Sequence, residues 1–174
     1  MTVTYVSPEG MTQPVPYHHV AVATGTRQVH VAGQVSRDAD GQALSADLRG
    51  QTADALRNVA VGLAGGGAGF ADVVRLTFYV TGWRPDRIED FLAAVGDVAA
   101  ELGLPQPLPP SSLIGVEILF QPDHRVEVAA IAPPAGAPPH PPRPRPGGTH
   151  ERAGTRACSG RCLVRTGRTP AAPR

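Results

Sequence analysis

The chain has 174 residues, a formal net charge of +1 and 41% hydrophobic residues. That length makes one domain the starting expectation, and the overall balance excludes a uniformly polycationic or polyanionic protein. The balance hides a split: residues 1–132 hold 8 Arg against 14 Asp and Glu, a net charge of −6, whereas residues 133–174 hold 8 Arg against Glu151 alone, a net charge of +7.

The opening MTVTYVSPEG has neither a basic region nor an apolar core, so no signal peptide is expected. No run of about 20 apolar residues occurs, so no membrane span is expected either, and the default is a cytoplasmic protein. Val3 to Val6 predicts a short strand that stops at Ser7-Pro8. Tyr17 to Ala23 and Gln28 to Val35 predict two more, and the short link through Gly25 suits a hairpin. His18, His19 and His30 follow strand alternation and form no metal set. Asp40-Gly41 marks a turn.

Asp47 to Ala64 predicts a helix with Leu48, Thr52, Leu56, Val59, Ala60 and Leu63 on one face. It ends at Gly65-Gly66-Gly67. Phosphate sites place glycines before a helix, so this run is a helix stop and not a phosphate cradle. Asp72 to Thr81, DVVRLTFYVT, predicts a strand. Asp86 reads as the cap of a second helix, with Glu89 completing a capping box. Ile88, Phe91, Leu92, Val95, Val98, Ala99 and Leu102 continue that helix to Gly103.

Leu108 to Ala132 carries the chemistry. Leu113 to Phe120 is an apolar run, Gln121-Pro122-Asp123-His124 a turn, and Arg125 to Ala132 a strand, which together predict a hairpin. Glu127 stands between Val126 and Val128: a carboxylate there is either on a wet face or kept for chemistry. His124 is expected to be solvated. After Ala132 the composition changes. The last 42 residues hold 10 Pro and no aromatic residue, so residues 133–174 are expected to form a disordered Pro/Arg-rich tail. Without aromatics to stack on bases, the tail makes a nucleic-acid partner unlikely. Cys158 and Cys162 lie within it, too sparse a pair to indicate zinc.

Several segments recur in a known order. Pro16-Tyr17, Val31-Ala32-Gly33-Gln34-Val35, Gln51-Thr52 with Ala55-Leu56 and Asn58, Asp72 to Val80, Phe91, and Val126 to Ala132 together resemble the Rid family, the reactive intermediate deaminases of YjgF type. The resemblance spans roughly residues 16–132. It implies an α+β, chorismate-mutase-like mixed sheet with two helices packed on one face, assembled as a homotrimer with ligand clefts between subunits. It implies hydrolysis of enamines or imines without a cofactor or metal, and a small-molecule metabolite as partner. Carried over residue by residue, Glu127 becomes the catalytic carboxylate, and Tyr17, Gly33 and Ser111 the substrate-binding positions. Ala32 stands where the family motif has Ser. Ser111 stands where the deaminating subgroup has an arginine that holds a substrate carboxylate, which puts 2-imino acid deamination in question. Arg75, Arg84 and Arg87 are the arginines left to serve from another direction. The competing reading is a non-catalytic trimer that binds or senses a metabolite.

Overall fold

The computed structural model describes residues 2–133, so the tail and its two cysteines lie outside the described residues. The elements follow the order β1 (Val3–Val6), β2 (Val20–Ala23), β3 (Val29–Gln34), α1 (Leu48–Gly65), β4 (Arg75–Thr81), α2 (Ile88–Leu102), β5 (Ser111–Val116) and β6 (Val126–Ala132). β1 and β2 form an antiparallel pair. The other strands form a four-stranded mixed sheet in the order β3-β6-β4-β5.

β4 organises that sheet because it is apolar at every second position. Leu76, Phe78 and Val80 are fully buried, while Arg75, Thr77, Tyr79 and Thr81 point to the opposite face. β6 lies antiparallel beside it with Ala130, Val128 and Val126 in register with those three residues, so both strands commit the same face to the core. α1 covers that face with Leu56, Val59 and Leu63, and α2 with Phe91, Val95 and Val98. The Phe91 ring meets Phe78 edge to face at 4.9 Å. The result is an α+β fold: two helices on one face of a mixed sheet.

Both expected hairpins are absent from the ladder pattern. β5 runs parallel to β4, and β4 separates β5 from β6. A parallel neighbour requires a crossover, which α2 provides, so the chain after Val116 must pass the end of β4 before β6 begins. The apolar run accordingly stops being strand at Val116. Ile118 and Phe120 are 66% and 92% exposed in the connection. Likewise β2 pairs with β1 and β3 pairs with β6. Val29, Val31, Leu76 and Phe78 belong to the helix side; the open face carries Arg75, Thr77, Tyr79, Ser112, Ile114, Glu127, Ala129 and Ile131.

α1 begins one residue after the expected start: Asp47 is its cap, and the Asp47 carboxylate accepts from Gly50 N at 2.8 Å. α2 does not. A 3-10 turn over Pro85–Arg87 precedes it, its first residue is Ile88, and Asp86 pairs with Arg84 instead of capping. Gly103 closes α2 at φ 62°. The C-terminal half of α1 lies tightly on β3, because a Cβ at Gly62 would stand 2.7 Å from Val31 Cγ1.

Two outcomes follow from this packing. Gly62→Ala adds helix propensity but pushes a methyl into a branched, buried neighbour, so net destabilisation of about 1–2 kcal/mol is expected from urea unfolding. In a Val31→Ala background the same substitution is expected to be neutral or stabilising, because the opposing methyl is gone. Tyr5 provides a pH test. Its hydroxyl donates to Val73 O, and burial, with the nearby Asp72 charge, pushes its pKa from 10.0 up to about 12. The folded state therefore favours the protonated phenol. That contribution is complete below pH 10 and is lost as pH rises towards about 12, so the melting temperature of Tyr5→Phe is expected to fall less steeply across that window than wild type.

Candidate functional site

The site is built from a bulge. Val31 pairs with Ala130 but Gln34 pairs with Val128, so β3 spends one more residue than β6 over this span. Gly33 lies in that irregular step, against Glu127. A Cβ at Gly33 would fall 1.7 Å from Glu127 Oε1 and 2.4 Å from its Cδ, so only glycine leaves room for the carboxylate to lie across the backbone. Glu127 is half-buried, pairs across the ladder with Tyr79, and makes no ion pair or side-chain hydrogen bond among the described residues. It stands on the face of the sheet opposite the helices.

Tyr17 and Ser111 lie elsewhere. Tyr17 forms an isolated parallel bridge with Leu108, with His18 N donating to Leu108 O at 2.7 Å and Leu108 N to Pro16 O at 2.9 Å. Its ring meets His19 edge-on at 5.5 Å. Leu108, Pro109 and Pro110 are buried and lead into β5, where Ser111 Oγ donates to Pro109 O at 2.7 Å. Within one chain, then, Gly33 and Glu127 are together, Tyr17 and Ser111 share the segment that enters β5, and β4 separates the two pairs.

Polar residues of α1 hold the loops around Glu127. Gln51 is buried; its amide nitrogen donates to Ser45 O at 3.0 Å and to Asp123 O at 2.9 Å, and its oxygen accepts from Arg125 N at 2.7 Å. Seven residues on, and so on the same side of the helix, Asn58 donates to Val35 O and Arg37 O, both at 2.8 Å. One tether fixes the approach to β6, the other the exit from β3. Ser36 Oγ adds a bond to Asp54 at 2.7 Å.

The sequence reading missed His124. It is 5% exposed, not solvated, and Arg37 Nε donates to its Nε2 at 3.1 Å. Arg37 also donates to Gln121 Oε1 at 2.6 Å and pairs with Asp123. Because Nε2 accepts, the neutral ring carries its proton on Nδ1, and that buried nitrogen has no partner among the described residues. A histidine in a polar turn gives no sequence signal for burial; the partner that buries it is 87 residues away. Cavities of about 420 and 440 Å³ flank this network, one lined by Thr81, Glu117, His124 and Arg125, the other by Gly33, Arg37 and Asn58. Among the described residues no three His, Cys, Asp or Glu side chains gather as a metal set, and no helix is long and apolar enough to cross a membrane.

The outer surface of the helices is joined by exposed ion pairs. Arg49 holds the Asp97 carboxyl below its usual range, and Arg57 does the same to Glu101, in each case chiefly through the hydrogen bond between them. Such solvated pairs contribute little. The buried contact is the consequential one. His124→Leu strands the Arg37 Nε–H and is expected to lower stability by about 1–3 kcal/mol. His124→Gln, which keeps an acceptor oxygen near the place of Nε2, is expected to lose clearly less in the same chemical denaturation series.

The geometry can be set beside known proteins. The profile of the family described as Endoribonuclease L-PSP matches residues 10–133. The crystal structure of the Rid-family protein YyfB from Yersinia pestis is 33% identical, with 76% of this chain and 98% of that chain covered and a TM-score of 0.67. A putative endoribonuclease from Thermotoga maritima shares the fold at 23% identity, covering 75% of this chain and 93% of its own, with a TM-score of 0.53. E. coli TdcF, solved with bound serine, does so at 21% identity, covering 72% and 91%, with a TM-score of 0.53. A search of curated proteins finds no match. Family profile, fold and a relative at one-third identity over nearly its whole length agree: the chain belongs to the Endoribonuclease L-PSP family, the YjgF/Rid group of small-molecule proteins.

Proposed function

We propose that this protein is a cofactor-independent hydrolase of an enamine, imine or related reactive metabolite, working in clefts between the subunits of a homotrimer, with Glu127 as its catalytic carboxylate. The observation that carries this reading is the Glu127–Gly33 contact. A carboxylate is held in place by backbone it lies against, yet no cation or donor among the described residues neutralises it. Such a group is available to a water molecule. In the reaction, Glu127 takes a proton from water as the water oxygen bonds to the imine carbon; the π electrons of the C=N bond move to nitrogen, and Glu127 passes the proton on to it. Collapse of the carbinolamine then releases ammonia and leaves a carbonyl, so imine plus water gives carbonyl compound plus ammonia.

Trimer formation is supported by the open sheet face, where Ile114 and Ile131 accompany Ala129, and by the exposed Ile118 and Phe120 beside it. Tyr17, Gly33 and Ser111 are proposed as substrate-contacting positions, with association bringing together the two pairs that β4 separates. Ser111 cannot replace an arginine as an anion holder: it is uncharged and short, and its hydroxyl is engaged by Pro109 O. That engagement favours the alternative of a metabolite-binding trimer without turnover.

The test uses the full-length protein with imines generated in situ, from 2-aminoacrylate to imines of simple aldehydes. Turnover is expected, with Glu127→Gln lowering kcat by about 10²–10⁴-fold while the melting temperature is kept. Equal turnover by Glu127→Gln and wild type would overturn the role given to Glu127, and no turnover of any imine would leave the metabolite-binding alternative.

A further inference from the structure

Tyr5 makes two contacts that reach beyond its own strand. It alternates with the exposed Thr4 and Val6, so its ring turns inward from β1. Its hydroxyl donates to Val73 O, and Val73 is fully buried between the 3-10 turn Phe70–Asp72 and β4. That acceptor is itself held. Val73 N donates to Phe70 O at 3.1 Å and Val74 N to Ile131 O at 2.9 Å. Burial pushes the Tyr5 phenol up to about 12, so the hydroxyl keeps its proton, and can donate, throughout the neutral range. The ring of Tyr5 lies flat on the His18 imidazole, with centroids 5.0 Å apart and planes 6° apart. Tyr5 is thus anchored to the core at one end and laid against the neighbour of Tyr17 with its face.

The segment that carries Tyr17 lies outside the four-stranded sheet. Two backbone bonds tie it to Leu108, one on each side of Tyr17: Leu108 N donates to Pro16 O and His18 N to Leu108 O. Such a bridge fixes how far Tyr17 stands from Leu108, but by itself it leaves the segment free to rotate about the line of the bridge. Along an extended segment neighbouring side chains point to opposite sides. Accordingly Tyr17 meets His19 edge-on at 5.5 Å, while His18 meets Tyr5. Seating His18 against an anchored ring blocks that rotation, and the Tyr17 ring on the other side is fixed with it. Tyrosine suits the task. Phenylalanine would keep the flat face and lose the anchor; leucine would lose both.

We propose that Tyr5 is a positioning residue for Tyr17: through His18 it sets the orientation of the Tyr17 ring towards the substrate. This rests on the reading of Tyr17 as a substrate-contacting position in the preceding section, and it adds a residue from β1, which carries none of the substrate positions named there.

The test uses the fact that the chain has three tyrosines, Tyr5, Tyr17 and Tyr79. Full-length protein labelled with 3-fluorotyrosine gives one fluorine resonance for each, assigned with Tyr5→Phe, Tyr17→Phe and Tyr79→Phe. Tyr5→Leu is expected to move or broaden the Tyr17 resonance and to leave that of Tyr79 in place. Tyr5→Phe is expected to move the Tyr17 resonance less, and it decides the matter if Tyr5→Leu does not fold. Val3→Ala, which trims β1 where it pairs with Ala23, is the control for a weakened strand and is expected to leave Tyr17 unmoved. A Tyr17 resonance that stays in place when Tyr5 is replaced, or that Val3→Ala moves as far, overturns the proposal. In imine turnover, Tyr5→Leu is expected to raise KM about 2- to 10-fold with kcat kept, and to have no further effect in a Tyr17→Ala background, as coupled positions are not additive. The same KM change in that background overturns the proposal as well. The two readings fail separately. The resonances need no turnover, so absence of imine hydrolysis defeats the hydrolase alone, and an unmoved Tyr17 defeats the positioning alone.

Discussion

The alternation of side chains along β4 is the constraint on which the rest of the domain depends. Leu76, Phe78 and Val80 cannot leave the core without exposing fully buried apolar surface, so Arg75, Thr77, Tyr79 and Thr81 must occupy the other face. β6 repeats the arrangement in register, which puts Glu127 beside Tyr79. One face becomes a hydrophobic layer under two helices. The other becomes a surface on which a carboxylate and a guanidinium can stand without being buried. A slip of one residue in either strand would reverse both assignments at once, so the chemistry of the open face is as well specified as the core.

The helix side supplies more than apolar cover. Gln51 and Asn58 project from α1 and satisfy the backbone of the segments entering β6 and leaving β3. These are the segments next to Glu127 and Gly33. Buried amides of this kind are costly unless every group is paired, and Gln51 uses both its nitrogen and its oxygen. The Arg37–His124 contact closes the same region from outside the helix. The strand segments around Glu127 are thus set by a bulge and two side-chain tethers, and Gly33 leaves room for its carboxylate, which makes no side-chain bond among the described residues.

The entry to β5 is built from short polar side chains. A small hydroxyl bonded to Pro109 O leaves the start of β5 uncrowded, and the guanidinium of Arg75 comes to the adjacent hydroxyl. Parallel register sets Ser111 and Ser112 directly against Leu76 and Thr77, so the two hydroxyls fall on opposite faces of β5.

Much of this was determined by the sequence alone. Period-two runs marked β4 and β6, period-3.6 runs marked α1 and α2, Asp47 marked a helix start and Gly103 a helix end, because each signal is local and acts within a few residues. Glu127 was conspicuous as a charge between two valines in an apolar strand. What the tertiary structure decided was everything that depends on which strands are neighbours. Two apolar runs joined by a turn could be a hairpin, but β4 lies between them, since hydrogen-bond pairing is a contact between distant segments and leaves no mark in either one. His124 is buried because Arg37, far along the chain, donates to it. Asp86 fails as a cap because the chain takes a 3-10 turn before α2 and Arg84 competes for the carboxylate. Gly33 and Glu127 are distant in sequence and meet only through the bulged β3–β6 register. Local propensity is written in short stretches of chain, whereas partners are chosen by packing the whole of it.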